Sequence, residues 1–170
     1  MLEIRLTTPD DLPELRRVAI ETQMDTFGAF NSKENMDAYI QMAYHPKSLA
    51  KELNEPGSMN YLARDESELT GFMRLRRNNE AELWLGKSTI ELQRLYVRTI
   101  HHGKGIGAAL MHVAVDHAVA EKIEWMWLGV WEGNIKAQQF YAKWGFERFS
   151  EHVFQMGDDP QTDWLLRRRM

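Results

Sequence analysis

The most restrictive stretch of this chain runs from Ile90 to Lys122. A strand pattern (Ile90–Val97) leads into the loop HHGKGIG (His101–Gly107), and a helical pattern begins at about Ile106. A strand that turns on glycines straight into a helix converges main-chain N–H groups and a helix N-terminus on one spot. That spot suits a phosphate. Two nucleotide loops of this outline fail on spacing. A P-loop needs Gly-x-x-x-x-Gly-Lys-Ser/Thr, and no Ser or Thr follows Lys104 in that place. A dinucleotide fingerprint needs G-x-G-x-x-G, whereas Gly103-Lys104-Gly105-Ile106-Gly107 reads G-x-G-x-G. By itself the loop is either an anion cradle or a tight strand-to-helix turn.

The rest of the pattern supplies a fold around this unit. Leu2 to Leu6 alternates as a half-buried strand, and Asp10 or Asp11 with Pro13 opens a helix through about Ile20. A second helix follows Asn31 and Ser32 and breaks at His45-Pro46. Pro46 to Leu53 forms a third, ended by Pro56-Gly57. Met59–Arg64 and Leu69–Arg76 read as a hairpin about Asp65–Glu68. The long helix after the glycine loop presents Ile106, Leu110, Val113, Ala114, His117 and Ala118 as its core face. Trp125 to Val130 is a strand, with Trp125, Trp127 and Trp131 alternating on one face. Ile135 to Trp144 is a helix capped by Gly145. Phe149–Met156 and Trp164–Arg168 are closing strands about the turn Gly157–Pro160. The order β, helices, ββ, β-loop-α, β-α, ββ describes one α/β domain over residues 1–170.

Composition narrows the chemistry. With no cysteine among 170 residues, disulfide scaffolds, thiolate zinc sites and cysteine nucleophiles are excluded, and no metal site is expected. A net charge of -4 disfavours nucleic acid and mildly attracts a cationic partner. The run Arg167-Arg168-Arg169 reads as charges solvating the end of a strand. No apolar run approaches the roughly 20 residues of a membrane span. The start MLEIRLTTPDD lacks the apolar core of a secretory leader, so a cytoplasmic location is expected.

The segment from Leu95 through HHGKGIGAALM resembles the cofactor-binding motif of the GNAT superfamily of N-acetyltransferases, whose loop is Gln/Arg-x-x-Gly-x-Gly/Ala. His102 to Gly107 matches it except at the first position. The next family motif, a strand and then a helix carrying Asn and Tyr, is similar to LGVWEGNIKAQQFYAKWGF, with Asn134 and Tyr141 seven residues apart. Two helical turns place these on one face. Taken alone, Asn134 is a helix N-cap and Tyr141 a core residue; together, behind the glycine loop, they fit the family. DTFGAF near Asp25 and the tail FQMGDDPQTDWLL bring the likeness closest to the PaiA-like polyamine acetyltransferases.

The resemblance implies a GNAT fold, a mixed and mostly antiparallel sheet flanked by helices, with strands splayed near Val97 and Val130. It implies acetyl-CoA as co-substrate and a primary amine as acceptor, favouring a polyamine such as spermidine or spermine. Protein N-termini, lysines or an aminoglycoside are alternative acceptors, and an acyl-CoA-binding regulator without turnover is the rival of another class. A homodimer, common among such enzymes, is compatible with it. Its cofactor-binding residues would be Leu95, Tyr96, Val97, His102, Gly103, Lys104, Gly105, Ile106, Gly107, Asn134 and Tyr141. Tyr141 would protonate the leaving thiolate. Glu91 would be the base, sharing a strand face with Gln93, Leu95 and Val97 by period two; its plain reading is a solvated strand residue. A protonated His102 would strengthen cofactor binding below about pH 6.5, while His101 would be a solvated loop residue. Glu21, Asp25, Glu34 and Asp37 would either attract a polyamine or sit on solvated faces.

Overall fold

A computed structural model describes all 170 residues. Its strands are β1 (Leu2–Leu6), β2 (Ser58–Asp65), β3 (Glu68–Arg76), β4 (Thr89–Val97), β5 (Trp125–Trp131), β6 (Glu147–Met156) and β7 (Asp159–Arg169). They form one sheet in the order β1-β2-β3-β4-β5-β7-β6, antiparallel except where β4 meets β5. Helices α1 (Leu12–Phe27), α2 (Lys33–Ala43) and α3 (Pro46–Leu53) come from the N-terminal region. The short α4 (Glu82–Leu85) precedes β4, and α5 (Ile106–Ala120) and α6 (Ile135–Lys143) follow the strands nearest the glycine loop. This is the α/β arrangement expected, with a mixed, mostly antiparallel sheet.

Each face of the sheet has its own core. Against one face, α5 and α6 bury Ile106, Leu110, Met111 and Tyr141 on Met73, Leu75, Ile90, Leu92 and Met126. The α5 stripe differs from expectation in that Met111 is fully buried while Val113 and His117 are only half-buried. Against the other face, Leu15, Val18, Ala19, Ile40, Tyr44 and Leu49 of the N-terminal helices cover Leu62 and Phe72. Here the buried Arg74 and the largely covered Arg94 lie under α3. Arg94 makes a forked pair with Glu52, at 2.5 and 3.1 Å, and Arg74 meets Glu55 and Glu52.

Several boundaries moved for local reasons. The first helix runs to Phe27 rather than Ile20 because its buried side continues through Thr22 and Gln23, polar residues that break the apolar pattern. Their needs are met by the Ala19 carbonyl and the Tyr44 hydroxyl. Strand β7 begins at Asp159, so Pro160 lies inside a strand rather than in the turn. Pairing with β5 starts only at Asp163, which leaves Pro160 a free edge where its missing N–H costs nothing. Gly145 has φ +80, the left-handed cap expected after α6. The arginine run is partly neutralised, Arg167 by Glu147 and Arg169 by Glu124.

Candidate active site

Strands β4 and β5 pair at Thr89–Trp125, Ile90–Met126 and Glu91–Trp127, and then part. β3 stays paired with β4 as far as Val97, and β7 with β5 as far as Trp131. Each strand is thus anchored on its outer edge while the inner edges open into a wedge. Arg98 N–H bonds the Thr70 carbonyl on β3 at 2.9 Å, so antiparallel alternation turns the main-chain groups of Val97 and Leu95 into the wedge. The intervening Tyr96 carbonyl faces β3, where a Cβ on Gly71 would lie 2.8 Å from it. The Tyr96 ring stacks on Phe72 beneath the N-terminal helices, and burial pushes its hydroxyl up.

The glycine loop closes the mouth of this wedge. Gly103 and Gly105 take φ +79 and +81, which only glycine adopts without strain. The N–H groups of Gly103, Lys104 and Gly105 find no acceptor in the protein. Those of Ile106, Gly107 and Ala108 belong to the first turn of α5, ahead of any helical carbonyl. Successive free donors at a helix N-terminus, beside glycines with open space at the Cβ position, fit a pyrophosphate. The side chain of His102 is turned away from this role, its Nε2 donating to the Val97 carbonyl at 2.8 Å. His101 is buried rather than solvated. Its Nε2 lies 3.2 Å from Glu68 and its Nδ1 3.2 Å from Lys104 Nζ, which ties the loop to the β2–β3 hairpin.

Helix α6 brings Asn134 and Tyr141 to the same side. Asn134 does cap the helix, its Oδ1 accepting from Ala137 N–H at 3.1 Å, which leaves the amide NH2 free. The Tyr141 ring packs edge-on against Phe140 and Phe146. Burial raises the affinity of its hydroxyl for the proton, and no protein group hydrogen-bonds it. A buried, protonated, unpartnered phenol is suited to protonating a developing anion.

Glu91 corrects the expected face. Arg74 opposes Arg94 but Leu75 opposes Leu92, so a bulge at Gln93 adds one residue to β4. Leu92 and Leu95 therefore both face α5, while Glu91 lies with Arg94 and Tyr96 on the opposite face. It is buried at the apex of the wedge and held by Arg76 and Asn78. The N-terminal acids are mostly engaged elsewhere: Glu21 by Arg98, Asp25 by Thr99 and Asp37 by Lys33. Glu80, His152 and Asp163, which no local sequence pattern marks, meet on the Glu91 face. Their meeting depends on the β6–β7 register, which no local pattern displays. Trp127 is fully buried under Ala81 and Leu85, and Trp131 carries Phe27 and Phe30.

The chain resembles known proteins along its whole length. Residues 18–146 match the acetyltransferase (GNAT) family. An uncharacterized N-acetyltransferase from the pepI 3′ region of Lactobacillus delbrueckii subsp. lactis is 36% identical over 160 residues, covering 94% of this chain and 92% of that protein. An uncharacterized N-acetyltransferase of Mycobacterium tuberculosis is 28% identical over 160 residues, 94% of this chain and 98% of its own. The crystal structure of the PaiA N-acetyltransferase of Thermoplasma acidophilum, in complex with coenzyme A, superposes with a TM-score of 0.84 at 25% identity. It covers 100% of this chain and 99% of that one. With its splayed strands and glycine loop in place, the chain belongs to the GNAT family and is an acetyl-CoA-dependent N-acetyltransferase.

Proposed function

We propose that the acceptor is a primary amine, with polyamines such as spermidine and spermine the favoured class. The observation that carries this reading is the wedge itself, with the main-chain groups of Leu95 and the N–H of Val97 turned into it, the buried Tyr141 ring on one side and Glu91 at its apex. Within the loop from His102 to Gly107, the N–H donors from Gly103 onward hold the pyrophosphate, with Lys104 adding charge. Leu95 and Val97, on either side of Tyr96, align the pantetheine and the acetyl carbonyl by main-chain hydrogen bonds, and the Asn134 amide supports the pantetheine. Glu91 takes a proton from the acceptor's ammonium through water. The neutral amine nitrogen then attacks the thioester carbonyl carbon. As the tetrahedral intermediate collapses, the C–S bond breaks, Tyr141 gives its proton to the coenzyme A thiolate, and the proton that the nitrogen sheds on becoming an amide restores the phenol.

The test is free coenzyme A release with acetyl-CoA and a panel of spermidine, spermine, lysine-containing peptides and aminoglycosides. Release with polyamines above the other acceptors is expected, and Glu91→Gln should lower kcat while leaving acetyl-CoA affinity unchanged. Release only with peptides would move the acceptor class to proteins. Tight acetyl-CoA binding without release for any amine would make the protein a regulator.

A further inference from the structure

Three neighbouring strands carry one row of side chains on the Glu91 face. Trp131 on β5 opposes Asp163 on β7, and Asp163 opposes His152 on β6. Two residues before Trp131, Gly129 is exposed between the buried Leu128 and Val130, in the part of β5 that β4 has left. A Cβ at Gly129 would lie 3.5 Å from Asp163 Oδ2, 3.7 Å from His152 Nε2 and 3.8 Å from Leu165 Cδ2. The bare backbone is therefore the floor of a notch, with a carboxylate and an imidazole on its rim.

The notch has walls on two sides. Glu80, from the segment between β3 and α4, bonds His152 Nδ1, while Asn78 of the same segment bonds Glu91. On the other side Phe27 and Phe30 lie on Trp131, and Asn31 accepts from Gln161. His152 Nε2 stands 3.5 Å from Asp163 Oδ2. The charged groups facing the imidazole are Asp163 from β7 and Glu80 from the β3–α4 segment, and both favour its cationic form. Asp163 has no hydrogen-bond donor beyond this contact, and its side chain is 18% exposed. Such a carboxylate retains accepting capacity for an N–H donor that enters the notch.

We propose that Asp163 receives the ammonium of the acceptor beside Gly129, and that His152, clamped by Glu80, is the positioning residue that holds Asp163 in place. The inference rests on the amine-acceptor reading above and adds the residue that binds the amine. It also accounts for a glycine in the middle of a strand flanked by tryptophans, since any side chain there would occupy the space the acceptor needs.

The experiment is calorimetric titration of the protein–coenzyme A complex with spermidine, spermine and a short peptide amine. Wild type is compared with Asp163→Asn, His152→Gln and Gly129→Ala, each checked by thermal melting. Asp163→Asn should weaken the amine that binds by about tenfold or more, from loss of a charged hydrogen bond. Gly129→Ala makes only ordinary contacts with its neighbours, so it should fold normally and also weaken the amine. It keeps the test decisive if Asp163→Asn does not fold. Coenzyme A affinity should be unchanged in all three. His152→Gln should weaken the amine at pH 7.5, and the gap to wild type should close as the pH passes about 9 and the imidazolium is lost. Equal amine affinity in wild type, Asp163→Asn and Gly129→Ala would overturn the assignment and leave the amine reading standing. A wild-type complex that binds none of these amines would overturn both.

Discussion

Glu91 and Trp127 are the last facing residues at which β4 and β5 pair, and every feature of the candidate site is arranged around the gap beyond them. Glu91 stands at its apex on the face of the N-terminal helices, and Tyr141 is buried on the face of α5 and α6. A thioester held by the free edge of β4 between these faces is open to an amine from one side and to a proton donor from the other.

The close approach of β3 and β4 is what keeps that edge in position. A Cβ on Gly71 would stand 2.8 Å from the Tyr96 carbonyl oxygen and 3.3 Å from Val97 Cγ2. Gly71→Ala should force the strands apart, costing about 1–3 kcal/mol as overpacking does, and should weaken acetyl-CoA binding by displacing Val97. Thermal melting and acetyl-CoA titration of the variant check both effects.

Gly105 opens α5 with φ +81 and has open space around its missing Cβ. Gly105→Ala therefore suffers backbone strain without a clash, about 1–2 kcal/mol. Relief of that strain would turn loop N–H groups out of line. Acetyl-CoA affinity should fall while the amine-side parameters stay as in wild type, measured as separate KM values.

Arg94 depends on a single carboxylate. Glu52 makes both hydrogen bonds to Arg94 and lies 3.5 Å from Arg74. Glu52→Ala leaves uncompensated charge under α3 and should cost about 3–5 kcal/mol, read from urea unfolding. Replacing Glu52 and Arg94 together by apolar residues should cost less than Glu52→Ala alone.

Stability should also decline in alkali through His152. Contact with Asp163 and Glu80 outweighs burial and raises its pKa from 6.5 to about 9. A raised folded-state value favours the native state fully below about pH 6.5, and the contribution is lost as pH rises through about 9. After discounting for solvent screening it is on the order of 1–2 kcal/mol. Unfolding free energies measured at pH 6, 8 and 10 should show this loss in wild type and not in His152→Gln.

Much of this architecture was legible because it rests on local rules. Glycines at positive φ, Asn134 before α6 and the Asp65–Glu68 hairpin all declare themselves within a few residues. The bulge at Gln93 did not, since a bulge is a relation between strands and the β4 residues alternate smoothly on paper. That single inserted residue moved Glu91 to the other face. In sequence His101 reads as loop surface, because its partner Glu68 lies more than thirty residues earlier. Glu80, His152 and Asp163 were silent for the same reason, because cross-strand partners are chosen by register.

The central claim, proton delivery from Tyr141 to the leaving thiolate, is tested most directly by single-turnover acetyl transfer in Tyr141→Phe alongside acetyl-CoA binding. The ring, which fills the core beside Phe140 and Phe146, is kept and only the hydroxyl is lost. The expected result is a chemical step slowed about 100-fold, within the usual range for a general acid, with acetyl-CoA affinity unchanged. An unaltered rate would return Tyr141 to the hydrophobic core and contradict the account.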